Sequence, residues 1–140
     1  MSDSSQSAPL IFGADIPFAT MCGVETIGVT DGRTRLRVPA RPEHTNHLGI
    51  VHGGLICTLL DIAMGTAARC TIGTPVMTLD MQASFIGPGR GVLLAEGRVL
   101  RAGRSILFCE AEITAEGTGE LIAKASGVFK PVKPKASADG

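Results

Sequence analysis

From Gly54 to Cys70 the chain reads GLICTLLDIAMGTAARC, a run that is apolar nearly all round and holds one acid, Asp61. No other stretch constrains the fold as strongly. A helix that is apolar on every side belongs in an interior, so the run predicts one central helix around which the remaining chain is arranged. His52, Gly53 and Gly54 open it, and Gly73-Thr74-Pro75 closes it. A buried carboxylate costs several kcal/mol unless it is paired or put to use. Asp61 is therefore expected to have a partner or a task. The plain alternative is a helix-face acid satisfied by solvent or a nearby hydroxyl.

The flanking segments read as strands. Val24 to Val29 and Arg33 to Val38 lie either side of Thr30-Asp31-Gly32, a hairpin turn signal. In the second arm Arg33, Arg35 and Arg37 alternate with Thr34, Leu36 and Val38, which puts the arginines on a solvated face. After the helix, Val76 to Ile86 alternates cleanly. Met77, Leu79, Met81, Ala83 and Phe85 are expected on one side, and Thr78, Asp80, Gln82 and Ser84 on the other. Gly87-Pro88-Gly89 leads into Val92 to Arg101, Ala102-Gly103 into Ser105 to Thr114, and Glu116 to Gly119 into Leu121 to Lys130. Consecutive antiparallel strands with one apolar helix describe an α+β arrangement, a sheet curled round that helix.

With 140 residues and 44% apolar content, the chain is one domain with enough material for a core. We place that domain at residues 10–130, between a Ser-rich tail at 1–9 and a Pro- and Lys-containing tail at 131–140. Thirteen basic and 13 acidic residues balance, and Tyr and Trp are absent. Neither the basic excess nor the stacking platforms of a nucleic-acid binder are present. Four cysteines, at 22, 57, 70 and 109, form no CxxC and read as reduced core thiols. No secretion signal opens the sequence and no long apolar run suited to crossing a membrane is evident. The expectation is a cytoplasmic protein.

The first turn of a helix leaves amide N–H groups free at the positive end of the dipole. Such groups suit an oxygen that gains negative charge in a transition state. Gly53 and Gly54 let a substrate approach that backbone closely. Asp61 has the chemistry of a nucleophile or of a general base for water. At 1.5 Å rise per residue, Gly53 and Asp61 lie roughly 12 Å apart along the axis, too far to act on one atom. A two-fold dimer with antiparallel helices removes the conflict by bringing Asp61 of one chain to Gly53 of the other. Thr58, Asp61, Gly65 and Ala68 share one small, polar helix side by spacing.

Asn46 carries an amide that can donate to a carbonyl or hold a water, although an isolated loop Asn is commonly a turn former. Thr78 carries a hydroxyl able to orient a water, although Thr is common in strands. His44, His47 and His52 lack the helical HExxH spacing, so no metal site is expected; His52 is assigned to orienting the loop or packing under the helix start. Arg101 and Arg104 flank a hairpin turn and suit phosphate, or are simply solvated turn charges. There is no GxSxG elbow, no GxxxxGK[ST] loop and no GxGxxG between strand and helix.

The run Asn46-His47-Leu48-Gly49-Ile50-Val51-His52-Gly53-Gly54, continued to Asp61, resembles the hotdog-fold acyl-CoA thioesterases of the phenylacetate-pathway (PaaI-like) type. The likeness extends from about Phe12 to Lys130 and is weaker through Thr78, Asp80, Pro88 and the Gly103-Arg104 turn. It implies a hotdog fold, with a curved antiparallel sheet of five to six strands wrapped on the helix. It implies hydrolysis of acyl-CoA without a cofactor. It assigns Gly53 to polarising the thioester carbonyl with help from Asn46, Asp61 of the opposite subunit to activating water or attacking directly, and Thr78 to placing the water. His52 and Gly54 fall to substrate binding; the family's CoA-contacting residues vary, so Arg101 and Arg104 are assigned to the coenzyme's phosphates on the chemistry of their forks alone. A homodimer with shared sites, paired into a homotetramer, is implied as well. The Asp in place of the longer Glu of some related enzymes leaves room for a water. Competing readings are a free-standing acyl-CoA-binding module and a hotdog hydratase or dehydratase. His47-Leu48-Gly49 replaces the HFPG-like loop of the latter. A DNA-binding acyl-CoA sensor would need a further domain. Phe12, Phe18 and Met21 are candidates for the acyl pocket, suiting an aromatic or a medium aliphatic group equally.

Overall fold

The structure, a computed structural model, describes residues 10–133. The proposed tail at 1–9 lies outside the described residues, as do residues 134–140 of the tail proposed at 131–140, whose first residue, Pro131, ends the last strand. In order, the chain forms α1 (Pro17–Met21), β1 (Glu25–Thr30), β2 (Arg33–Pro39), a short 3-10 turn (Pro42–His44), α2 (Gly53–Ile72), β3 (Val76–Phe85), β4 (Val92–Ala102), β5 (Leu107–Ala115) and β6 (Leu121–Pro131). The strands make one six-stranded antiparallel sheet in the order β1-β2-β4-β5-β6-β3. The helix α2 lies across its inner face, most extensively on β4. This is the helix-and-curved-sheet arrangement that the sequence predicts.

Local chemistry sets the ends of each element. The β1–β2 turn places Asp31 at φ 55° and Gly32 at φ 74°, the left-handed pair required by a tight hairpin. At the start of α2 the His52 Nδ1 accepts a hydrogen bond from the Gly54 amide at 2.7 Å, so a histidine takes the capping role usually held by Ser or Asp. At its end Gly73 adopts φ 74° and returns its amide to the Arg69 carbonyl. α1 begins with Pro17 at its first turn and is tied down by Arg41, whose Nη2 donates to the Met21 carbonyl at 2.7 Å. The sequence reading did not anticipate this short helix.

Leu59, Leu60 and Met64 of α2 are fully buried against Leu36, Leu93, Leu107, Ile113 and Phe129 of the sheet. Each contributes about 1.5–3 kcal/mol of apolar burial. Helix and sheet come closest at Gly97 of β4, where a Cβ would stand 2.2 Å from the Ala63 carbonyl oxygen. Only glycine fits there. The same carbonyl accepts from the buried hydroxyls of Thr34 at 3.0 Å and Thr66 at 3.1 Å. These two polar side chains are thus satisfied inside the core. The arginine row of β2 lies on the outer face, as expected, and is paired. Arg33 and Arg35 meet Glu96, Arg37 meets Glu25 and Glu116, and on β4 Arg98 meets Glu110.

Four expectations are corrected. The alternation in β3 is broken by a bulge at Leu79: Thr78 pairs with Phe129 and Asp80 with Val128. Thr78 therefore joins Met81, Ala83 and Phe85 on the helix side instead of sharing a face with Asp80, Gln82 and Ser84, because the extra residue shifts the phase. Ala68 is fully buried in the core and does not share the open side of Asp61. Not all the cysteines are core thiols: Cys22 and Cys109 are buried, Cys57 is half-buried and Cys70, in the last turns of α2, is exposed. Burial pushes the Cys109 thiol up to about 11. Finally, α2 is apolar enough, at a mean hydropathy of 1.5, to cross a membrane by length and composition. Half of that run is buried within the fold, as in a core helix.

Candidate functional site

Two open cavities meet α2, one at each end of the Gly53–Asp61 span. The first, of about 490 Å³, lies over the helix start between Phe18, Met21, Arg41, His52, Gly54 and Thr58. The second, of about 280 Å³, runs along the helix from Asp61 past Gly65 to Arg69, opposite Thr78, Val76 and Phe129. Both are lined mainly by carbon, so a charged group in either is poorly screened.

The amides at the helix start are accounted for one by one. The His52 N–H donates to the His44 carbonyl, that of Gly54 to His52 Nδ1, and that of Leu55 to the His52 carbonyl. Gly53 N–H has no partner among the described residues. Its unused donor sits at the positive end of a 20-residue helix. Both glycines are needed there. A Cβ on Gly53 would press on the Phe85 ring at 3.3 Å, and one on Gly54 would stand 3.0 Å from His52 Nδ1. Sequence spacing singled out both glycines and placed Phe85 on the apolar face of β3, but did not reveal its contact with the helix start.

Asp61 is half-buried and holds a specific partner: Thr78 Oγ1 donates to its Oδ1 at 2.7 Å. The hydroxyl comes from the strand and the carboxylate from the helix, so the pair exists only in the folded sheet-on-helix arrangement. Oδ2 is left free to accept a proton. Asn46 makes a turn with its side chain: Oδ1 accepts from the amides of Leu48 at 2.9 Å and Ile50 at 3.4 Å. Its Nδ2 donor is not engaged by these bonds. The turn-forming and donating roles weighed from the sequence are thus compatible. His44 is buried and accepts from the Arg41 amide through Nδ1 at 2.9 Å, and His47 is exposed. No three His, Cys, Asp or Glu side chains converge among the described residues. Arg101 and Arg104 are exposed at the β4–β5 hairpin and line neither cavity at α2. Phe18 and Met21 border the cavity at the helix start, whereas Phe12 packs against the core. Sequence reasoning also missed Arg69, which lines the Asp61 cavity two helical turns beyond Asp61.

A single long helix carrying its polar groups at two depths, cradled by a curved antiparallel sheet, defines a hotdog domain. The chain belongs to the thioesterase superfamily, whose family model matches residues 48–122, from the loop before α2 into β6. It is similar to human acyl-coenzyme A thioesterase 13, with 30% identity over 105 residues, 72% of this chain and 74% of that one. Among solved structures it is similar to the BH2602 protein of Bacillus halodurans with CoA: 28% identity, a TM-score of 0.79, and coverage of 86% of this chain and 82% of that one. The E. coli PaaI protein of the phenylacetic acid degradation operon shares the fold at a TM-score of 0.79 and 20% identity, over 85% of this chain and 86% of that one.

Proposed function

We propose that this chain is an acyl-CoA thioesterase, converting a thioester and water to a free acid and CoA. The observation that carries the reading is Asp61, held by Thr78 at 2.7 Å in a mainly apolar cavity on the core helix of a thioesterase-superfamily fold. The CoA bound by the Bacillus halodurans protein and the name of the human relative support the substrate class.

The chemistry follows from the free groups. Asp61 Oδ2 takes a proton from a water while Thr78 fixes the other oxygen and so the plane of the carboxylate. The water oxygen attacks the thioester carbon. The carbonyl oxygen gains charge against the unpaired Gly53 N–H, with Asn46 Nδ2 as second donor. The C–S bond then breaks, and the thiolate leaves with the proton. A short Asp with one oxygen tied to Thr78 favours activation of water over direct attack. His52 and Gly54 shape the cavity over the helix start, and Arg101 and Arg104 are proposed to meet the coenzyme's phosphates from the surface.

The two tools lie on one helix, roughly 12 Å apart; Asp61 lines one cavity, and the other is lined at the helix start by Gly54, the neighbour of Gly53. We therefore propose a homodimer in which Asp61 of one chain serves the Gly53 amide of the other, with pairing of dimers into a tetramer. The edge strand β3 supports this. It is ten residues long, leaves one side of its backbone unpaired, and exposes Met77, Leu79 and Phe85. Long apolar edges of this kind invite pairing with another chain. The compartment is proposed to be the cytoplasm.

CoA release from a panel of aryl and straight-chain acyl-CoAs, run with wild type and Asp61→Asn, tests the reading. Turnover abolished by Asp61→Asn with binding retained is the expected result. Equal rates would place the active site elsewhere. Binding without turnover in the wild type would make the chain a binding module.

A further inference from the structure

The cavity at Asp61 has a wall that the reaction does not require. Along α2 it extends from Asp61 to Arg69, two turns of helix lined on one side by Gly65. Ala14 and Ile16, from the segment before α1, also line it. That segment is not part of the sheet. Ile11 and Ala14 exchange backbone hydrogen bonds at 2.8 and 3.1 Å across a tight turn. The turn forces Phe12 to φ 48° and Gly13 to φ 84°. A phenylalanine adopts a left-handed backbone only where its surroundings hold it there.

Arg69 is what holds it. Nη1 donates to the Phe12 carbonyl at 2.8 Å and Nη2 to the Ile11 carbonyl at 2.6 Å. The guanidinium fork thus grips two successive carbonyls of the strained turn. Among the described residues no carboxylate pairs with Arg69. Its charge is committed to this grip, not to the surface ladder that occupies Arg33, Arg35, Arg37 and Arg98 of the sheet. Ile11, just before the turn, is itself buried and anchors the segment in the core.

We propose that the Arg69-latched segment from Ile11 to Ile16 is the specificity wall of the acyl pocket, setting how long an acyl group the Asp61 cavity accepts. This rests on the thioesterase reading above and goes beyond it by naming which residues select the substrate. The space between Asp61 and Arg69, about 280 Å³ and lined mainly by carbon, suits a straight or singly ringed acyl group pointing away from the reacting carbon. Ala14 is the natural point of control. Its small side chain leaves room in the cavity, and a larger one takes up space there from a residue that is part of neither the Asp61–Thr78 pair nor the helix start.

The test is kcat/KM across a homologous series of straight-chain acyl-CoAs, measured on wild type, Ala14→Leu and Arg69→Ala, with far-UV circular dichroism to confirm folding. Ala14→Leu should leave the shortest substrates unchanged and depress the longest accepted one by about tenfold or more, the effect of a misfit methylene or two in an apolar pocket. Arg69→Ala, which frees the segment, should move the optimum toward longer chains. A role of Arg69 in stability alone would lower all rates together and leave the profile in place. Unchanged profiles in the folded variants would overturn the wall while leaving the thioesterase reading intact. Absence of turnover on every thioester by the wild type would overturn both.

Discussion

Replacing Gly97 by Ala should be among the most damaging single methyl additions in the molecule. The added Cβ would lie 2.2 Å from the Ala63 oxygen and 2.4 Å from its carbon. These are main-chain atoms in the middle of α2, so no rotamer change relieves the contact. Reaching an ordinary separation requires the helix to lift from β4 by about 1 Å, at the place where Thr34 and Thr66 donate to the same oxygen. Overpacking costs about 1–3 kcal/mol, and weakening the buried Thr34 bond adds about 1–2 kcal/mol. The sum, about 2–5 kcal/mol, is a large share of a stability of about 5–15 kcal/mol. At about 4 °C per kcal/mol for a domain of this size, the midpoint should fall by roughly 8–20 °C. Thermal unfolding at fixed protein concentration reads that shift, and urea unfolding with m-values compared reads the free energy. The same substitution at Gly65 has the opposite sign. A Cβ there meets only the Phe129 ring at an ordinary 3.5 Å, and removing a mid-helix glycine gains up to about 1 kcal/mol. Equal midpoints for the two variants would refute the claim that helix–sheet contact at Gly97 sets the packing distance.

Further substitutions probe the site and the cysteines. Thr78→Val keeps the shape and removes the 2.7 Å bond to Asp61; kcat should fall about tenfold, the worth of one hydrogen bond, with the melting midpoint nearly unchanged. His52→Ala deletes the cap on Gly54 and should lower unfolding free energy by about 1 kcal/mol, as measured by urea titration. Iodoacetamide followed by peptide mass mapping should label exposed Cys70 in the native protein and spare Cys109 until unfolding. The folded Cys109 thiol, raised from 9.0 to about 11, stays neutral where the unfolded one ionises, so its contribution to stability is full below pH 9 and is lost as pH rises toward 11. A Cys109→Ala variant should show a shallower decline over that range.

What the sequence made legible was local or periodic. The apolar run with its glycines marks α2, because burial on all sides leaves a compositional trace. Asp31-Gly32 marks the first hairpin, because positive φ has a short list of tolerant residues. Asp61 stands out as a lone acid among carbon. The features that were not legible depend on register or distance. The bulge at Leu79 leaves no sign in VMTLDMQASF, which alternates well enough to hide a change of phase. Thr78 was thus singled out for its hydroxyl but placed on the wrong face; that hydroxyl bonds Asp61. Arg69 reaches carbonyls 57 and 58 residues away, and no pattern within α2 announces that. His52 as a cap was hidden for another reason: imidazole seldom plays the part.

The Gly53 amide has a consequence for how such a chain varies. The unengaged donor over the helix start belongs to the peptide unit and not to any side chain. Exchange of one amino acid for another leaves an N–H in place at every residue except proline. A mutational scan would therefore report position 53 through bulk, by the pressure of a new side chain on Phe85, at every residue but proline, which removes the donor and adds bulk together. Removing the donor alone calls for an edit to the backbone, an ester in place of the Gly53 amide by chemical ligation. Inheritance can resize the walls of this cavity freely, while the group at its helix end is carried by every codon that still permits the turn.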